Sequence, residues 1–196
     1  PALWSSLLFM LFFRFPEAQL AKMAQPFMLR SVSDGGLGLS TTDVGVAYGT
    51  IGVIGLLAGG LLGGWLVSRN GLKRWLWWMV LSISLPEAVD VYLAYCQPTA
   101  LWIVDVCVAV EQLGYGFGFT AYSLFLVYFA AGEKSTSVFS LCTALQALGM
   151  MLPGMFAGLL ADSWGFPLFF VWVCGCTLVT FLVSAFIQVD KLEGKA

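Results

Sequence analysis

The chain has 196 residues, of which 60% are hydrophobic and 10% charged, and its formal net charge is −2. A soluble domain carries about 25% charged residues, so this composition excludes one, and the lack of any basic cluster excludes a nucleic-acid partner. There is no histidine, which removes histidine-ligated metal centres and Ser-His-Asp hydrolases.

Six apolar stretches fill nearly the whole chain, at about 2–29, 43–67, 75–96, 100–130, 136–161 and 166–188. Each reaches the roughly 20 residues that cross a ~30 Å hydrocarbon core. They lack the alternation of an outer-membrane barrel, and an open sheet would leave backbone groups unpaired in lipid, so all six are predicted as transmembrane helices. The first is too long for a secretory signal and continues past Arg14 and Glu17. Because the chain opens on Pro1 rather than Met, it is expected to be a fragment.

In chain order, span 1 carries Arg14, Glu17, Lys22 and Gln25, with Pro16 beside Glu17. Ionisable groups at membrane depth are costly and mark substrate or proton pathways, or else pair with each other; Arg14 and Glu17, three apart, are the obvious internal pair. Span 2 holds a ridge of Gly45, Gly49, Gly52, Gly55, Gly59 and Gly63. Such a ridge lets helices pack closely, and it also offers a sliding surface. Span 3 carries Glu87 and Asp90 on one helical face, again just after a proline, Pro86. Pro16, Pro86 and Pro153 are each expected to kink their helices, and the first two to open backbone beside the carboxyls in a shared polar cavity.

Span 4 carries Asp105, Glu111 and Gln112, followed by Gly114-Tyr115-Gly116-Phe117-Gly118. These glycines are spaced by two, lie within a span and follow no strand, so a nucleotide loop is declined in favour of a pliable helix segment. The five cysteines, Cys96, Cys107, Cys142, Cys174 and Cys176, lie in or beside apolar segments without CxxC spacing, which points to helix packing.

Placing both termini and the loops after spans 2 and 4 in the cytoplasm puts Arg69, Lys73, Arg74, Lys134, Lys191 and Lys195 inside and leaves Arg30 outside. That distribution obeys the positive-inside rule, and Trp65, Trp75, Trp77 and Trp78 flank the basic loop at headgroup level. Offsetting the chain by 94 residues lays Gly55, Gly60, Gly64, Leu66 and Gly71 over Gly149, Gly154, Gly158, Leu160 and Gly165, and Glu17 over Glu111. Three spans followed by three similar spans have inverted topology, because an odd number reverses direction.

The stretch Gly64-Trp65-Leu66-Val67-Ser68-Arg69-Asn70-Gly71-Leu72-Lys73-Arg74 resembles the signature loop of the major facilitator superfamily, with Ser68 in place of the usual Asp. Phe13-Arg14-Phe15-Pro16-Glu17-Ala18 and the run from Glu111 to Tyr122 narrow the resemblance to the C-terminal half of AmpG-like permeases. The resemblance implies an all-α integral membrane fold of six helices in two inverted three-helix repeats, numbers 7 to 12 of a twelve-helix transporter in the bacterial inner membrane. It implies proton-coupled import of peptidoglycan fragments, an N-terminal six-helix half as partner, and a conformational role for Gly64, Arg69, Gly71, Lys73 and Arg74. Related branches carry other anionic solutes, including acetyl-CoA.

Candidate roles follow. Arg14 and Lys22 are expected to hold an anionic group, with Gln25, Gln112, Tyr115 and Tyr122 completing a substrate site. Glu17, Glu111, Glu87, Asp90 and Asp105 are the proton-coupling candidates. No cofactor or metal is expected, and neither a nucleophile–base pair nor clustered ligands suggest an enzyme. A channel or structural membrane subunit is the alternative class.

Overall fold

A computed structural model describes residues 2–132 and 135–187, so Lys134, Lys191 and Lys195 lie outside the described residues. The described residues form helices and connections without strands. The helices are α1 Ala2–Phe12, α2 Phe15–Leu29, α3 Thr41–Val46, α4 Val53–Asn70, α5 Leu72–Ser84, α6 Glu87–Cys96, α7 Leu101–Ala130, α8 Ser135–Trp164 and α9 Phe166–Ala185. A π-helical segment, Ala47–Gly52, joins α3 to α4 without a break.

Among the described residues, five helical stretches are long and apolar enough to cross a membrane: Thr41–Asn70, Leu72–Cys96, Leu101–Ala130, Ser135–Trp164 and Phe166–Ala185. The first predicted span differs from them. It divides at Phe13 and Arg14 into α1, of 11 residues, and α2, of 15, each too short to cross alone. Pro16 explains the break, because its ring cannot donate to the carbonyl of Phe12 and clashes with it one turn back. Pro86 acts likewise between α5 and α6. Pro153, expected to kink its span, lies inside an uninterrupted α8.

The glycine ridge divides in two. Gly59 lies so close to α7 that a Cβ there would meet the Leu113 carbonyl, and Gly116 of α7 meets the Leu56 carbonyl in return. Only glycine permits that approach, and dispersion and backbone contacts supply the attraction that lipid-solvated helices cannot obtain from water. Gly45 and Gly49 have no such neighbour.

The 94-residue repeat has a structural counterpart. Packing of α4 against α7 is matched by packing of α8 against α1 and α2. Two buried apolar clusters lie at opposite ends of the bundle. One gathers Phe9, Phe13, Met79, Tyr122 and Phe125. The other gathers Phe27, Val104, Val108, Phe166 and Phe170. Arg14, Glu17, Glu87, Asp90 and Glu111 fall between the two clusters along their helices.

Candidate functional site

A cavity of about 370 Å³ opens between the apolar clusters, lined by Arg14, Glu17, Tyr48, Glu87, Glu111 and Tyr115 among others. Gln25 and Gln112 also face it. Six elements meet here, α2, the π-helical segment, α5, α6, α7 and α8, and the prolines place α2 and α6 with their first turns at the cavity.

Among the described residues Arg14 is the only cation lining it. Its Nε donates to Glu17 Oε2 at 2.7 Å and its Nη2 to Glu17 Oε1 at 2.5 Å, a forked pair within one turn of backbone. The same Nη2 donates to the Tyr115 hydroxyl at 2.7 Å, and the guanidinium lies 4.7 Å from the Phe119 ring centroid. The internal pair read as an alternative in the sequence is therefore formed.

Glu111 is held differently. Tyr48 donates its hydroxyl to Glu111 Oε2 at 3.1 Å, and Gln112 Nε2 donates to Oε1 at 3.1 Å. No cation pairs with Glu111 among the described residues. On α6, Glu87 is buried with Oε2 unpartnered, and Asp90, 1% exposed, has neither carboxyl oxygen bonded. The charges of Glu17, Asp90 and Glu111 all bear on Glu87. With Arg14 satisfied by Glu17, the carboxyls of Glu87, Asp90 and Glu111 share no counter-cation among the described residues. A lone carboxylate at membrane depth costs several kcal/mol unless it is partnered or hydrated.

Other predicted residues lie elsewhere. Lys22 is exposed, its stem beside Gly154 of α8, and it does not line the cavity. Tyr122 is fully buried, donating to the Met10 carbonyl at 2.7 Å between Phe9 and Phe13, a packing position. Asp90 and Asp105 do not line the cavity, and Asp105 Oδ1 is unpartnered. In the loop, Gly71 takes φ +76°, Arg69 stacks on Trp65 at 4.3 Å, and Ser68 donates to the Trp65 carbonyl at 2.8 Å. Gly64 is open to its surroundings, and Lys73 and Arg74 are exposed. Sequence reasoning missed Tyr48, a tyrosine among glycines with no polar neighbour along the chain to mark it.

No family model matches the chain. The anhydromuropeptide permease of Escherichia coli K12 is 26% identical over 169 residues, which cover 86% of this chain and 33% of the permease. The chain is similar to the AmpG permeases. A putative transporter AmpG 1 of Rickettsia felis is 20% identical over 177 residues, 90% of this chain and 38% of the relative. The AmpG-like chain thus spans about a third of the length of the curated relatives it matches. Its fold matches the crystal structure of a peptide transporter, POT, in complex with alafosfalin, with TM-score 0.73 and 22% identity over 93% of this chain and 37% of that one. The protein is a multi-pass membrane protein with the fold of half a major facilitator, as the resemblance implied.

Proposed function

We propose that this chain forms the C-terminal half of a secondary transporter that moves peptidoglycan fragments across the bacterial inner membrane, coupled to the downhill movement of protons. The observation that carries the reading is the cavity between the apolar clusters, where one guanidinium faces several carboxyls. A fragment with peptide carboxylates and amines can compete for Arg14, freeing Glu17 to take a proton or an amine. Similarity to anhydromuropeptide permease supports the substrate class. Both termini and the Arg69–Arg74 loop face the cytoplasm, on the distribution of Lys and Arg.

Alternating access rocks one six-helix unit against another around a central site, so this half supplies one wall of the path and an N-terminal half the other. The test is uptake of labelled anhydromuropeptide into vesicles containing the intact transporter under an imposed pH gradient. Saturable uptake that collapses with a protonophore is expected, with none from vesicles containing this chain as a monomer. Unitary currents, or uptake indifferent to the gradient, would reject the proton-coupled carrier.

A further inference from the structure

A second cavity of about 420 Å³ adjoins the first on the side of the Arg30–Ser40 connection, lined by Leu29, Thr41, Val44, Gly45 and Gly49. Gln25 and Tyr48 line both cavities. They therefore form the partition between the inner polar cavity and the outer one.

Tyr48 is carried on the π-helical segment Ala47–Gly52. A π turn holds one residue more than an α turn, and single π turns recur at functional positions. Rewinding to α geometry turns the residues before it by roughly 100°, the angle of one residue. That rotation carries Tyr48 away from Glu111. Space for it exists, because Gly45 and Gly49 have nothing against them while Gly52 rests on Gln112 and Val108. The segment is thus anchored at Gly52, and at its start Gly45 and Gly49 meet open space while Val44 and Ala47 pack into the core.

We infer that Tyr48 is the gate between the two cavities and a positioning residue for Glu111: the passage is shut while the phenol donates to the Glu111 carboxylate and opens when that acceptor is neutralised. A hydrogen bond to a charged acceptor is roughly twice as strong as one to a neutral acceptor, so proton arrival at Glu111 weakens the latch. The groups that bear on Glu111 are Tyr48 on the π-helical segment, Glu17 on α2, Glu87 and Asp90 on α6, and Cys107 and Gln112 on α7, with Arg14 and Tyr115 lining the same cavity. The gate rests on the transport reading for its purpose, but not for its test.

Ala24 lines the inner cavity and is buried, and Ala24→Cys supplies a thiol behind the gate. The intact transporter in sealed vesicles is exposed, from the side of the Arg30–Ser40 connection, to a charged, membrane-impermeant methanethiosulfonate. Modification at position 24 is followed by mass spectrometry. Because the thiolate is the reacting species, each rate is divided by that of a fully exposed reference thiol on the same vesicles at the same pH. This normalised rate, compared in every variant, is expected to rise about tenfold between about pH 8 and about pH 5, the scale set by a charged against a neutral acceptor. Tyr48→Phe keeps the ring but removes the latch, and the pH step should vanish with the protein still folded. Tyr48→Ala should be fast at both pH values. A pH step retained in Tyr48→Phe, or a Tyr48→Ala rate no faster than the parent's, overturns the gate. Muropeptide uptake measured on the same vesicles separates the two ideas: labelling that depends on Tyr48 without any uptake sinks the transport reading and leaves the gate. Proton-driven uptake with labelling indifferent to Tyr48 does the reverse.

Discussion

Gly71 and Gly165 lie 94 residues apart and adopt the same backbone conformation, φ +76° with ψ 156° and φ +76° with ψ 160°. Each turns the chain from one helix directly into the next, α4 into α5 and α8 into α9. The sequence offset that aligned them aligns a structural device. This region of φ and ψ is essentially reserved for glycine, and a side chain there costs about 1–3 kcal/mol. Gly71→Ala and Gly165→Ala should each lower the thermal unfolding temperature of the purified protein. The corners are far apart, so the double substitution should show the sum of the two losses. A neutral result at either position would remove that corner from the account.

The forked pair of Arg14 and Glu17 makes a prediction of sign. Arg14→Ala strands a buried carboxylate and should cost about 3–5 kcal/mol of stability. Removing Glu17 as well relieves that penalty, so Arg14→Ala with Glu17→Ala should be more stable than Arg14→Ala alone. Chemical denaturation in detergent of the parent and the two variants decides it; a double variant less stable than Arg14→Ala would mean that Glu17 stabilises the bundle through contacts other than Arg14. Arg14→Ala should also weaken binding of anionic substrate in the intact transporter, measured by calorimetry on the folded fraction.

Glu111→Gln keeps an oxygen to accept from Tyr48 but removes the exchangeable proton. Stability should change by less than about 1.5 kcal/mol, the worth of one hydrogen bond. Gradient-driven uptake by the intact transporter should be abolished or uncoupled, while exchange of substrate without a gradient persists. Full proton-driven uptake by this variant would move the coupling role to Glu17, Glu87 or the other half.

Topology is open to a direct measurement. Ser33 and Asn70 are both exposed and lie in connections at opposite ends of the bundle. Ser33→Cys should react with an impermeant maleimide added to whole cells, and Asn70→Cys only after the membrane is permeabilised. The opposite pattern would invert the assigned orientation.

Much of the fold was legible because membrane-spanning segments announce themselves by length and apolarity. Span 1 escaped in part: its hydropathy reads straight through Phe13 and Arg14, and only the carbonyl that Pro16 leaves without a donor divides it. At the site, the charged residues were found by their cost in lipid, but their partners were not. Whether Arg14 faces Glu17 depends on χ angles. Lys22 falls outside the cavity because its side chain runs along α8 at Gly154 rather than inward. Tyr48 was illegible for a sharper reason. Its direction depends on a π turn, which shifts the helical register by a residue and which no period in the glycine ridge encodes.

The Arg14–Glu17 pair also bears on how the chain enters the membrane. Both partners belong to one turn, so their charges can neutralise each other before any later segment has left the ribosome. Tyr115, the other hydrogen-bond partner of Arg14, lies 101 residues downstream and arrives only with α7. Had the carboxylate been placed on α7, the nascent first segment would have presented an unaccompanied arginine to the translocon, at a cost of about 2.5–3.5 kcal/mol. A pair made within its own helix lets insertion proceed in sequence order, and leaves the later helices to close around a site whose net charge is already settled on one side.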